Sequence, residues 1–180
     1  MEKSIGLFYG SSTCYTEMAA EKIRDAIQEK SPSLTIDVHN IANDCLHLMD
    51  DYDYLILGIP TWDYGELQED WENHWQQLDD LDLSDKKTAL FGLGDQIGYP
   101  QWFQDALGYL WAKVVNQGAS TFGLWPNEGY EFEQSKALTD DNKFFLGLAL
   151  DDENQFDKTD DYIDQWCHQI LHEFGLKTHG

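Results

Sequence analysis

A cluster of hydroxyl side chains near the start of the chain has the composition of a phosphate-binding loop. The cluster follows an apolar run at residues 5–9 and precedes apolar residues that recur at helical spacing. A strand that turns directly into a helix leaves backbone N–H groups unpaired, and these groups attract a phosphate together with the helix dipole. The simpler interpretation is a Ser/Thr-rich helix cap. The loop consists of Ser11, Ser12, Thr13, Cys14, Tyr15 and Thr16.

Two better-known phosphate-binding motifs do not fit this loop. The Walker motif requires a second glycine and a lysine at the start of the helix, and the loop has neither. The dinucleotide-binding fingerprint requires three spaced glycines, whereas Gly10 stands alone. The loop therefore suits one terminal phosphate, which points to a ligand of the size of a mononucleotide.

Two later loops carry aromatic residues that are suited to hold a flat ring. Residues 60–66 present Trp62 and Tyr64, and residues 93–99 present Tyr99. Each loop follows an apolar run, and ligands of parallel α/β sheets bind at the carboxyl ends of the strands. We therefore predict that an aromatic ring lies between these loops, where stacking adds about 0.5–1.5 kcal/mol beyond the burial of area.

The composition is typical of a single acidic globular domain. The chain has 180 residues, and 11 basic against 34 acidic residues give a net charge of −23. Such a charge repels nucleic acids and anionic membranes. No apolar run is long enough to span a bilayer and no signal peptide precedes the first strand, so we expect a cytoplasmic protein. Three widely spaced cysteines indicate no disulfide framework, and we expect Cys45 and Cys167 to be packing residues.

Apolar runs alternate with helical patterns along the chain, which predicts a doubly wound parallel α/β sheet. The predicted strands lie at residues 5–9, 34–41, 54–58, 88–92 and 121–125. A polar stretch at residues 126–143 separates the fifth run from another at residues 144–150, so we predict a fifth strand that is split by a long insertion. Pro60 is expected to end the third strand, and Thr159 is expected to be the N-cap of the last helix.

Other candidate sites favour simpler interpretations. His168 and His172 lie four residues apart on the last predicted helix, but the pair lacks the glutamate of the H-E-x-x-H motif and flanks a core stripe. We therefore expect an exposed face and no metal site. The end of the first strand has no paired acidic residues, which argues against a phospho-receiver domain.

The loops described above resemble those of the flavodoxins, small proteins that carry electrons on FMN. The resemblance covers the whole chain and implies one flavodoxin-like domain over residues 1–180, with a five-stranded parallel sheet in the order 2-1-3-4-5. The long insertion resembles that of the long-chain subgroup. The matching segments are residues 11–16, 60–62, 92–99, 147–151 and 154–155.

The resemblance also implies which residues bind the cofactor. Residues 11–16 would bind the FMN phosphate, although Cys14 stands where most flavodoxins have glycine. Trp62 would cover one face of the flavin and Tyr99 the other. Residues expected along the edges of the flavin are Pro60, Thr61, Asp63, Tyr64 and Gly65 on one loop and Leu93, Gly94 and Asp95 on the other.

The resemblance implies a non-catalytic, low-potential electron shuttle between an NADPH-dependent flavodoxin reductase and acceptor redox enzymes. The alternative is an FMN-dependent NAD(P)H:quinone reductase of the same fold, and a weaker third reading is a regulatory flavin-binding module. A reductase needs an open flavin face, and Trp62 and Tyr99 would cover both faces. We therefore expect a monomeric carrier that docks to basic patches on its partners.

Overall fold

The apolar runs form a parallel sheet in the computed structural model, which describes residues 3–11 and 14–176. Its main strands, in the order of the sheet, are β2 (Thr35–Asn40), β1 (Ser4–Tyr9), β3 (Tyr54–Trp62), β5 (Lys87–Leu93) and β6 (Ser120–Phe122). Numbered as five main strands along the chain, this order is 2-1-3-4-5, and the predicted fold is confirmed. Ser12 and Thr13 of the predicted phosphate loop lie outside the described residues.

The last position of the sheet is shared by two short strands, as the split fifth strand predicts. β6 pairs with residues 87–89 of β5, and β9 (Leu148–Leu150) pairs with residues 91–93 of the same strand. Between them the chain leaves the sheet, and β7 (Trp125–Pro126) pairs antiparallel with β8 (Phe144–Phe145). The insertion therefore leaves and returns at the edge of the sheet.

Helices pack on the sheet throughout the described part of the chain. The α-helices there are α1 (Cys14–Lys30), α2 (Glu69–His74), α3 (Asp105–Asn116) and α4 (Phe156–Phe174), with 3-10 helices at Leu46–Asp51 and Trp75–Asp80. α1 contacts α4, whereas α3 packs against β3 and β5. No helix within the described residues has the length and apolar character needed to cross a membrane.

The three central strands supply the middle of the core. Leu7, Leu57 and Leu90 of β1, β3 and β5 are completely buried. Their continuous apolar runs predict this burial, because a central parallel strand is covered on both faces. Trp71 is also completely buried, and its Nε1 donates a hydrogen bond to the carbonyl oxygen of Gly58 (2.9 Å).

Two predicted boundaries are wrong. Pro60 does not end β3, because the strand continues to Trp62 by pairing with β4 (Glu66–Leu67) in a hairpin. Thr159 is not an N-cap, because α4 begins at Phe156. The Thr159 hydroxyl is buried inside the first turns of the helix, where it donates a hydrogen bond to the carboxylate of Asp152.

The expected burial of two cysteines is half correct. Cys167 is buried, but Cys45 is exposed, and its Sγ accepts a hydrogen bond from the backbone N–H of His47 at the start of a 3-10 helix. A cap of this kind is local, so an apolar pattern does not reveal it. His168 and His172 are exposed, and the described residues contain no group of three or more His, Cys, Asp or Glu side chains that could hold a metal ion.

The insertion packs closely on the start of α3. Its Tyr130 and Phe132 join Phe103 and Phe145 in an aromatic cluster, with ring centroids 5.0–5.8 Å apart. Gly108 of α3 allows the approach, because a Cβ atom at this position would lie 2.3 Å from the carbonyl oxygen of Lys136.

A Gly108→Ala substitution is therefore expected to lower stability by about 1–3 kcal/mol through overpacking. The sign of this stability change is informative, because a glycine-to-alanine substitution in a helix without this contact raises stability by about 1 kcal/mol. Urea unfolding measures the change. A higher unfolding midpoint for the variant would show that the insertion does not press on α3.

Candidate functional site

A cleft at the carboxyl ends of the strands brings together most of the predicted site residues. It is open at the edge of the sheet where β1, β3, β5 and β9 end, as expected for a parallel α/β sheet. Ten predicted residues line it: Tyr15, Thr16, Pro60, Thr61, Trp62, Asp63, Leu93, Gly94, Asp95 and Tyr99.

The remaining predicted residues have different positions. Ser11, Cys14, Tyr64 and Gly65 are not part of the lining, and Ser12 and Thr13 lie outside the described residues. Two lining residues were not predicted, namely Asp152 and Glu153, which follow β9. The signal that could have found them is the end of the split strand at Leu150, because a loop that follows a parallel strand opens at this edge.

Thr16 is the most informative residue of the first loop. It lies in the first turn of α1, its side chain is only 1% exposed, and its Oγ1 has no hydrogen-bond partner among the described residues. An unsatisfied buried polar group costs about 1–3 kcal/mol. Because Thr16 also lines the cleft, its hydroxyl indicates a ligand group that accepts a hydrogen bond at the start of this helix.

Trp62 carries a second unpartnered donor on the opposite loop. Its Nε1 is buried without a hydrogen-bond partner in the part of the chain that the structure describes. Trp62 ends β3, where its backbone pairs with that of Glu66 in the hairpin. The side chain of the neighbouring Thr61 is held by a hydrogen bond, because its Oγ1 accepts from the backbone N–H of Ala106 (2.9 Å).

The hairpin turn has an unusual backbone. Asp63 has a φ of 40° and Gly65 has a φ of 85°, so left-handed residues stand on both sides of Tyr64. Glycine adopts this region at little cost, whereas Asp63 stores strain. Tyr64 is 66% exposed, and its ring makes edge contacts with Tyr99 and Trp102 at centroid distances of 6.2 and 4.9 Å.

The two aromatic loops are linked through Asp63 and Tyr99. The negative charge of Asp63 raises the pKa of the Tyr99 phenol, which also donates a hydrogen bond to that carboxylate. The loop of Tyr99 is closed by Asp95, whose carboxylate accepts hydrogen bonds from the backbone N–H groups of Ile97 (3.1 Å) and Gly98 (2.7 Å). The cleft thus has an aromatic residue on each of two loops that are tied together.

The charged residues that line the cleft are all acidic. They are Asp63, Asp95, Asp152 and Glu153. Burial raises the pKa of Asp152, and a hydrogen bond from the Thr159 hydroxyl and the charge of Lys22 oppose this effect in part. Negative charge collected in one place disfavours a further negative charge there.

The raised pKa of Asp152 has a measurable effect on stability. The folded protein holds this proton more tightly than the unfolded chain, so Asp152 costs stability as the pH rises from the unfolded value of 3.8 through the raised folded value. The apoprotein of Asp152→Asn is therefore expected to unfold at a higher denaturant concentration than the wild type at pH 7. The difference should shrink as the pH falls below about 4, and an equal difference at both pH values would contradict the assignment.

Comparison with known proteins identifies the class of protein that this fold and cleft define. The Flavodoxin family model matches residues 7–166. The chain belongs to the flavodoxin family, whose members are electron carriers rather than enzymes. The chain is 58% identical over 170 residues to Flavodoxin 2 of Escherichia coli (strain K12). This alignment covers 94% of this chain and 96% of the relative.

Other relatives agree with this result. The flavodoxin of Nostoc sp. (strain PCC 7120) is 48% identical, over 98% of this chain and 100% of the relative. The crystal structure of a Fusobacterium nucleatum flavodoxin bound to flavin mononucleotide aligns with a TM-score of 0.87 at 30% identity, over 95% of this chain and 98% of that one. The predicted membership of a family of FMN-dependent electron carriers is confirmed, and the alternative of a quinone reductase is not supported.

Proposed function

We propose that the cleft binds FMN and that the whole chain acts as one FMN-binding domain. The phosphate would lie at the start of α1, where the predicted loop of residues 11–16 would supply backbone N–H groups and Thr16 a hydroxyl donor. Trp62 and Tyr99 would supply the aromatic surfaces for the ring system. The observation that carries this proposal is the buried and unpartnered Oγ1 of Thr16, because it needs an acceptor that the described residues do not provide.

The residues of the cleft also indicate how the protein sets its redox properties. Bound FMN supplies the capacity to take up and release single electrons. Asp63, Asp95, Asp152 and Glu153 surround the cleft with negative charge, which opposes the charge that each added electron brings. Trp62 and Tyr99 would exclude water from the ring system of a flavin bound in the cleft. Both effects favour low midpoint potentials.

The surface around the cleft suits a basic redox partner. The chain carries a net charge of −23, and Glu66 and Asp63 at the hairpin are exposed. Tyr64 and Ile97 add exposed apolar surface at the same rim, with 66% and 55% of their surface accessible. We propose that a monomer in the cytoplasm docks through this rim to the basic patch of an NADPH-dependent flavodoxin reductase and then to acceptor enzymes.

Three ligands test the binding proposal. Apoprotein titrated with FMN should bind it tightly and quench its fluorescence through the nearby aromatic side chains. Riboflavin, which lacks the phosphate, should bind more weakly, and FAD should bind poorly because its phosphate is not terminal. Equal affinities for all three ligands would mean that no phosphate site exists at the start of α1.

Anaerobic reduction tests the carrier function. The holoprotein should accept electrons from a flavodoxin reductase that is supplied with NADPH, and it should pass them on to an acceptor enzyme. It should not oxidise NADPH without the reductase. Rapid NADPH oxidation by the holoprotein alone, with a quinone as acceptor, would instead support the reductase alternative.

A further inference from the structure

The geometry points to the buried carboxylate of Asp151 as a positioning residue that holds two walls of the cleft together and fastens them to the insertion. This inference rests on the proposed binding of a flavin in the cleft. Asp151 itself is not among the lining residues, so it would act through its neighbours.

Asp151 lies directly after β9 and is 1% exposed. Its Oδ2 accepts hydrogen bonds from the backbone N–H of Gln96 (3.0 Å), from Nε2 of Gln96 (2.8 Å) and from Nδ2 of Asn154 (2.8 Å). Its Oδ1 accepts a fourth from the backbone N–H of Asn154 (3.1 Å). All four partners are N–H donors, and they come from two different loops.

These bonds fix the residues that do line the cleft. Gln96 follows Asp95 in the loop that also carries Tyr99, while Asp152 and Glu153 lie between Asp151 and Asn154. Nδ2 of Asn154 also donates a hydrogen bond to Oδ1 of Asp95 (2.8 Å), which links the loop after β9 directly to the loop after β5. The carboxylate therefore sets the distance between the two walls.

The same connection continues to the insertion. Oε1 of Gln96 accepts a hydrogen bond from the backbone N–H of Glu131. The carbonyl oxygen of Pro100 accepts two more, from the backbone N–H groups of Glu133 (2.7 Å) and Gln134 (3.0 Å). The insertion thus holds the loop on both sides of Tyr99. A disturbance at Asp151 should reach the aromatic wall although no atom of Asp151 lines the cleft.

Asp151→Asn is the most direct variant, because it keeps the shape of the side chain. One carboxylate oxygen becomes an NH₂ group, which then faces an N–H donor and cannot accept its hydrogen bond. Hydrogen bonds to charged groups are among the stronger ones in proteins. We expect the dissociation constants of FMN and of riboflavin to rise by the same factor, about tenfold or more.

Midpoint potentials provide a readout that a purely structural role would not change. Asp151→Asn removes a buried negative charge beside the cleft, so the midpoint potentials of the bound flavin should shift to less negative values. The matched control is Asp161→Asn, which removes the same charge from an exposed position on α4. The control should leave flavin affinity within about twofold and should shift the potentials less.

Gln96→Met is the second variant, and it keeps the negative charge of Asp151. It removes the hydrogen bonds that the side-chain amide of Gln96 makes with the carboxylate of Asp151 and with the backbone N–H of Glu131. Flavin affinity should therefore fall, while the contribution of the Asp151 charge to the midpoint potentials remains. The inference is overturned if both variants bind FMN and riboflavin like the control and lose only unfolding stability. If the wild-type apoprotein binds no flavin, the proposed function itself is wrong.

Discussion

A Thr16→Val variant is expected to bind FMN roughly 10-fold to 150-fold more weakly than the wild type, with its affinity for riboflavin unchanged. A hydrogen bond to a charged group contributes about 1.5–3 kcal/mol, and about 1.4 kcal/mol corresponds to a factor of ten. Valine has nearly the shape of threonine, so only the donor is lost. Because riboflavin has no phosphate, it should not register the loss. Flavin fluorescence titrations of both proteins with both ligands measure the effect.

The Thr16→Val substitution should stabilise the apoprotein, although it weakens the binding of FMN. The Thr16 hydroxyl is buried and has no partner within the described residues, so its removal should raise the unfolding midpoint. Thr88→Val is the matched control, because its Oγ1 is also buried without a described partner but lies near the start of β5. The control should gain stability and bind FMN normally. A less stable Thr16→Val apoprotein that binds FMN like the wild type would contradict the assignment.

Reduction of the holoprotein by a flavodoxin reductase should slow at least about tenfold as the salt concentration rises from about 0.01 M to about 0.15 M. The Debye length falls from about 30 Å to about 8 Å over this range. Electrostatic steering raises association rates by about 10-fold to 1,000-fold, and a net charge of −23 makes such steering strong toward a basic patch. Stopped-flow measurements at low protein concentration follow the association step.

A pair of charge variants locates the docking surface. Glu66→Gln removes a charge from the rim of the cleft, and Asp161→Asn removes one from the exposed face of α4. The rim variant should reduce both the rate and its dependence on salt more than the α4 variant does. Equal effects of the two variants, or rates that do not respond to salt, would place the docking surface elsewhere.

The sequence predicts the sheet well because its central strands are buried on both faces. The runs at β1, β3 and β5 are continuous and apolar, and the turn from β1 into a hydroxyl-rich helix start is a local signal. The split last strand is also visible, since two apolar runs flank a polar stretch. These features need no knowledge of distant contacts.

The errors arise where distant contacts decide. A proline usually ends a strand, but β3 continues past Pro60 because β4 pairs with residues 61–62. Thr159 has the residue type of an N-cap, but its hydroxyl is used by Asp152 instead. Asp152 and Glu153 join the cleft only because β9 takes its place beside β5.

The backbone conformation of the hairpin turn is also not predicted by the sequence. Gly65 is a residue that favours a positive φ, but nothing in the sequence indicates that Asp63 adopts one as well. The close distance between residues 62 and 66, which pair directly, requires a tight loop of three residues. The strain at Asp63 follows from this closure rather than from its residue type.

A crystal structure of the purified holoprotein tests the central claim most directly, because the claim concerns where FMN binds. The expected result places an oxygen atom of the FMN phosphate within about 3.2 Å of Oγ1 of Thr16, with the ring system in the cleft between Trp62 and Tyr99. A phosphate bound away from the start of α1, or a ring system outside this cleft, would contradict the account.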